Sequence, residues 1–477
     1  MKRTLRSLIL GLLVSLCGGT AGAQYIIHIA GNNYYDHGGD GGKALNASLR
    51  CPMSVARDPF GNLYIGDGGP LGYNNDACIR KITPDGIITT IAGVRNVGDS
   101  ASNTQDSIPG IRYKLQGCAG MCIDRDTNLV IADGVSMVLK LDLKTGYIKK
   151  IAGRRGVKGD TGTWNWSMVL NSPYDVAVDR SGNLYIAEIG NHMVRRINYG
   201  GTRAVTTIAG RANMPGFFGD GGPAINAKLD QPRGLYVDAD YNVYIADYMN
   251  NRVRMVSGAN GNISTVAGSG LGYGGDGGPA ASALLTQPVR VTMDESKNLY
   301  ISDVANQRIR KVAAGTGIIT TYAGNGDIFT GPDVLGNGGP ATAACIVPYG
   351  LAFDDCGNLY VGSSMFNVRA ITVTKPKARD SMLCGAKVVS APFVNTYSQE
   401  GPAVYPDPSN GRFTFRLPSA VSEPVDVIVT DMAGRKVAEM TTYTNKDTEL
   451  NIGNVPGLYL LQASTPAGKW SRKVVVQ

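Results

Sequence analysis

The strongest constraint on this chain is internal repetition. An apolar residue followed by Ala and Gly recurs with its alanine at Ala30, Ala92, Ala152, Ala209, Ala267 and Ala323, a period of about 59 residues. In the same frame an asparagine leads three apolar residues at Asn62, Asn128, Asn183, Asn242, Asn298 and Asn358. A fixed period of this length means copies of one supersecondary unit packed side by side. Residues 233–268 display the unit: apolar, β-branched and aromatic runs at 234–237, 243–246, 253–256 and 263–266, separated by Asp, Asn and Gly turns. This predicts a four-stranded antiparallel meander. Six such sheets around an axis give an all-β, six-bladed β-propeller, which leaves only short edges exposed. Residues 25–31 read as a fourth strand, whereas the sixth unit stops after a third strand near 368–374. The N-terminal strand is therefore expected to complete the last blade and close the ring.

Composition agrees. With 63 Gly and 23 Pro in 477 residues and 18% charged side chains, a long helical protein is excluded. The net charge of +8 includes Lys2, Arg3 and Arg6, and the balance is too mild to indicate nucleic acid as a partner. Residues 1–23 combine a basic start, an apolar run and an Ala-Gly-Ala end, the pattern of a cleaved Sec signal peptide. Cys17 follows Leu16, where a lipoprotein signal wants a small residue. After signal removal no stretch reaches the roughly 20 apolar residues of a transmembrane helix. The expected domains are the signal peptide (1–23), the propeller (24–374), a polar linker (375–402) and a small alternating β-sandwich (403–477).

Two resemblances follow. Residues 232–238, 242–247 and 250–254, reading PRGLYVD, NVYIAD and NNRVR, closely resemble an NHL repeat, and the likeness runs from about Gln24 to Thr374. The second unit departs from it, with Cys118 in place of the proline, and the sixth has Ser363 where the others carry Asp or Glu. Residues 404–411, 427–435 and 457–461, with the terminal KVVV at 473–476, resemble the type A sorting domain of the type IX secretion system. That likeness implies a Bacteroidetes-type source, engagement of the type IX machinery, passage through the outer membrane, and either release or attachment at the cell surface. The same alternation also fits an Ig-like adhesion module.

Strand polarity places the connections between blades and the second-to-third-strand loops on one face. Those connections run to roughly 20 residues, whereas the opposite turns are short, and unexplained loop length more often carries binding than packing. They hold Tyr34, Tyr35, Trp164, Trp166, Phe217, Phe218, Tyr273 and Phe329. These aromatics either contact a glycan or protein ligand or fold under their own loops. The connections also carry a Gly-Asp-Gly-Gly motif with Asp40, Asp220 and Asp276. Its glycines suit positive φ and its Asp a local turn, with calcium the competing use of the carboxylates. Asp67, Asp133, Glu188, Asp247 and Asp303 end the second strands. They are expected to ring the central opening opposite Arg80, Arg195, Arg254 and Arg310, mainly as a structural carboxylate–guanidinium motif.

Some propellers of similar sequence are metal-dependent lactonases and lyases. Here the three histidines, His28, His37 and His192, stand at no ligand spacing, and no nucleophile motif is present. A cation-dependent hydrolase or lyase using the acidic ring is the alternative to a surface-displayed binding or scaffold module. Among the seven cysteines beyond residue 23, the expected disulfides are Cys51–Cys78 at the top of the first blade and Cys356–Cys384.

Overall fold

The computed structural model describes residues 24–68, 77–93, 107–160, 168–198, 204–327 and 336–372, and in the C-terminal part 403–405, 412–416, 424–431, 435–443, 446–453, 455–465 and 468–476. The signal peptide and the linker lie outside the described residues. The chain divides into two compact units, residues 1–386 and 387–477.

In the first unit each repeat is one antiparallel sheet. Blade 4 runs Pro232–Val237, Val243–Asp247, Arg252–Val256 and Ile263–Ala267, in that order across the sheet. Five sheets follow this plan, the second with a short extra strand, Ile108–Pro109, on its outer edge. The first strands contact one another in a closed ring, Pro52–Arg57, Gly120–Ile123, Pro173–Val178, Pro232–Val237, Pro288–Met293, Pro348–Phe353 and back to the start. The sixth sheet is closed by Tyr25–Ala30, which pairs antiparallel with Asn367–Thr372, Tyr25 opposite Thr372. Its Ile26 is fully buried among Tyr300, Tyr322 and Ile371.

The repeated asparagine is explained by the turn between the first two strands. Asp58 Oδ1 accepts the backbone N–H groups of Phe60 and Asn62, while the Asn62 amide and the Tyr64 hydroxyl donate to Oδ2 at 2.7 and 2.8 Å. The Asp–Asn pair recurs as Asp124–Asn128, Asp179–Asn183, Asp238–Asn242, Asp294–Asn298 and Asp354–Asn358. Each turn also holds one residue at positive φ: Gly61, Thr127, Gly182, Tyr241, Lys297 and Gly357.

The Gly-Asp-Gly-Gly connections are edge covers. Gly221 N–H donates to Ile263 O and Ile263 N–H to Gly222 O, so the loop docks on the outer strand of its own blade. The same exchange joins Gly41 and Gly42 to Ile88, Gly277 and Gly278 to Ile319, and Gly338 and Gly339 to Ile26. Gly219 adopts φ 100° and passes Ala227 so closely that a Cβ there would lie 2.8 Å from the alanine Cα. That leaves no room for a side chain.

The second unit is two sheets. One holds Ala403–Tyr405, Arg412–Arg416 and Thr448–Asn451; the other orders Lys436–Tyr443, Pro424–Asp431, Gly457–Thr465 and Gly468–Val476. Phe413, Phe415 and Leu450 from the first share one core with Val425, Val427, Val429, Leu461 and Val474 from the second, so the sheets pack face to face.

Candidate functional site: the loop face of the propeller

The acids that end the second strands are fully buried. Each accepts a backbone N–H from the residue 17 positions earlier, where the incoming connection turns into the first strand: Arg50 to Asp67, Gln116 to Asp133, Asn171 to Glu188, Asp230 to Asp247 and Thr286 to Asp303. Arg195 binds Glu188, and Arg254 and Arg310 reach Asp247 and Asp303 at 3.3 and 3.4 Å. Burial pushes Asp67 and Asp303 up to about 6 and Asp133 and Asp247 up to about 7. Their work is to hold the connections to their blades.

The loop aspartates are also hydrogen-bonded. Asp220 accepts from Arg254 Nη2 at 2.6 Å and from Thr265 Oγ1 at 2.6 Å. Asp276 does the same with Arg310 at 2.5 Å and Thr321 at 2.7 Å, and Asp40 with Arg80 at 2.8 Å. A buried guanidinium thus supplies positive charge beside each of the three carboxylates.

First-strand side chains reach between blades near the axis. Arg290 of blade 5 pairs with Asp175 of blade 3 and donates across the ring to Ala119 O of blade 2 at 2.7 Å. Arg233 lies over the rings of Tyr248 and Tyr174, 3.3 and 4.9 Å from their centroids. Ala119, Tyr174, Ile189, Val289 and Val304 form one buried cluster there with Tyr248 and Tyr349.

The loop face is rimmed with exposed rings. Tyr34 and Phe218 are 73% and 63% exposed, and Tyr35, Phe217 and Tyr273 about half. Several are held from beneath: Phe217 by Arg252 at 4.0 Å, Tyr273 by Arg308 at 3.9 Å, and Tyr35 by Arg50 at 4.7 Å and edge-on by Phe366 at 5.4 Å. Phe217, Tyr273 and Tyr35 are thus stacked on an arginine and still about half exposed. Trp164, Trp166 and Phe329 lie outside the described residues.

Blade 1 differs from this plan. At the position of Phe217 and Tyr273 it has His37, and opposite Asp67, where blades 4 and 5 have Arg252 and Arg308, it has Cys78. His37 Nδ1 lies 2.8 Å from Asp67 Oδ2 and 3.6 Å from Cys78 Sγ, with all three residues buried. Burial pushes the Cys78 thiol up, and the Asp67 carboxylate adds to the shift. Sequence spacing missed this group, since 30 and 41 residues separate His37 from its partners. Aligning the repeats brings His37 and Cys78 into the two columns that hold an aromatic and an arginine elsewhere.

The expected Cys51–Cys78 disulfide is corrected: both cysteines are free, as are Cys118, Cys122 and Cys345. Cys51 precedes the first strand and Cys78 opens the third, with Leu63–Asp67 between them. Two strand spacings, roughly 9.6 Å, exceed the Cα separation a disulfide spans. Cys356 is disulfide-bonded, and Cys384 lies outside the described residues.

Among the described residues no helix is long and apolar enough to cross a membrane. Residues 32–257 match the family model for the Teneurin NHL domain, and residues 403–477 that for the Secretion system C-terminal sorting domain. The chain is 32% identical over 240 residues to Teneurin-1 of Gallus gallus, covering 46% of this chain and 8% of that protein. To Teneurin-4 of Mus musculus it is 28% identical over 321 residues, covering 63% of this chain and 10% of that protein. It therefore corresponds to about a tenth of the length of these relatives. A structural genomics protein of unknown function from Bacteroides thetaiotaomicron superposes with TM-score 0.52 at 20% identity, and an auxiliary nutrient binding protein from Bacteroides ovatus with 0.52 at 15%. Each alignment covers 73% of this chain and 76% of the other. The sorting domain marks the chain for type IX export, to the cell surface or the medium. The chain thus carries an NHL-type propeller followed by a secretion-system C-terminal sorting domain.

Proposed function

We propose that this protein is an exported binding module whose propeller takes up a surface glycan on its loop face. The observation that carries the reading is the group of exposed rings Tyr34, Tyr35, Phe217, Phe218 and Tyr273 on the interblade connections. Three of the five are steadied by arginines that leave one ring side open. Flat rings presented to solvent on stiff supports bury sugar faces with little loss of side-chain freedom. Arg290 and Arg233 put positive charge among the first strands, which favours the glycan reading over a cation there.

The test is binding of the full chain to immobilised glycans and bacterial surface polymers, with calcium and with chelator. Saturable binding that falls at least ~10-fold in Phe218→Ala or Tyr35→Ala and is indifferent to chelator is the expected result. A blank array in both conditions overturns the glycan reading and moves the search to protein partners.

A further inference from the structure

We propose that His37, Asp67 and Cys78 in blade 1 form a binding site for a thiophilic divalent cation, with Zn²⁺ as the probe. The three donor atoms, Nδ1, a carboxylate oxygen and Sγ, all lie within 4.8 Å of one another. In a tetrahedral shell with bonds of about 2.0 to 2.3 Å, neighbouring donors stand roughly 3.3 to 3.8 Å apart. The Sγ to Nδ1 separation of 3.6 Å is already in that range, and the Nδ1 to Oδ2 separation of 2.8 Å needs to open by less than 1 Å.

The alternative use of such a trio is a nucleophile relay, and the geometry argues against it. A relay needs the imidazole to face the acid with one nitrogen and the thiol with the other. Here Nδ1 faces both, so the donors converge on a point instead of forming a line. Burial of all three also denies a substrate access to Sγ. Nε2, on the far side of the ring, is buried without a hydrogen-bond partner among the described residues, so a cation-bound neutral His37 carries its one proton there.

Comparison between blades supplies the second line of argument. Blades 4 and 5 keep the acid, Asp247 or Asp303, with Arg252 or Arg308 opposite it in the register and Phe217 or Tyr273 stacked on that arginine. Blade 1 keeps Asp67 and exchanges both members of the stacked pair, one for an imidazole and one for a thiol. Either exchange alone would leave an odd side chain; together they complete a nitrogen, oxygen and sulfur donor set. Asp67 and Cys78 sit on paired strands, and the loop carrying His37 is fixed by the Gly41 and Gly42 bonds to Ile88. This is the support a metal site requires. On binding, the Cys78 thiol gives up its proton, and the imidazole proton that Nδ1 shares with Asp67 moves to Nε2, which frees the neutral Nδ1 lone pair. The dication then balances the thiolate and the Asp67 carboxylate. Arg80 does not compete, because its Nη2 is bonded to Asp40 and to Gly38 O.

The experiment uses the full chain freed of metal by chelator, titrated with Zn²⁺ against a chromophoric competitor and, separately, with Co²⁺. The expected result is one tight equivalent per chain and a thiolate-to-cobalt charge-transfer band with tetrahedral visible absorption. His37→Phe, which installs the residue of blade 4, and Cys78→Ser each weaken Zn²⁺ binding by roughly 100-fold, while His192→Gln leaves it unchanged. Absence of a tight equivalent, or equally tight binding by Cys78→Ser, overturns the proposal. Should both variants fail to fold, the cobalt spectrum of the unaltered chain still decides, since a spectrum without the thiolate band excludes Cys78 as a ligand.

Discussion

At the residue scale, the buried charged side chains of the propeller are fixtures, and Asp133 shows what happens when a fixture is incomplete. Blade 2 has Leu139 where other blades have an arginine, and Asp133 Oδ2 has no partner among the described residues. Burial holds the Asp133 carboxyl at about 7, against 3.8 for a free side chain. The folded state therefore keeps a proton that the unfolded chain gives up. Stability contributed by this group is lost as pH rises from about 4 to about 7, and the penalty is complete above that window. Asp133→Asn keeps an acceptor for Gln116 and Gly117 and abolishes the penalty. We expect it to stabilise by on the order of 2 kcal/mol at pH 8 and to be nearly neutral at pH 4, measured by urea unfolding. The first turn of the same blade offers a second test. Thr127 sits at φ 62°, where Gly61, Gly182 and Gly357 stand in other blades. Thr127→Gly should raise stability by about 1 kcal/mol, since a β-branched residue is strained there.

At the scale of elements, the blades were legible and their cross-links only partly so. The Ala-Gly and Asn markers delimit the sheets because they are bound to local turns, and a local turn repeats with the chain. The Tyr25–Ala30 strand was legible from order alone, as the sixth unit lacks a fourth strand. Asp220 and Asp276 looked like free loop carboxylates because their partners, Arg254 and Arg310, lie 34 residues on. The same interval in both blades was the available signal. The Cys51–Cys78 expectation failed for a related reason: both residues lie at one end of a blade, but an intervening strand keeps them apart. The closing strand itself is testable. Ile26→Ala removes a fully buried side chain from the seam between blades 5 and 6 and should cost about 3 kcal/mol. Loss of cooperativity alongside the lowered midpoint is expected in thermal unfolding, because the variant weakens the joint that closes the ring.

At the scale of the whole molecule, two compact units with separate cores predict two independent unfolding events. A chain shortened by residues 387–477 should keep the propeller transition within about 2 °C, as differential scanning calorimetry can show. A larger shift would mean that the units stabilise one another. The pairing of Tyr25 with Thr372 also imposes an order in time. The Tyr25–Ala30 strand cannot find its place until some 345 further residues have been made, and closing a loop of that span is slow. Until Asn367–Thr372 is in place the sixth sheet lacks its edge strand, and the side of blade 5 that Ile26 covers stays open.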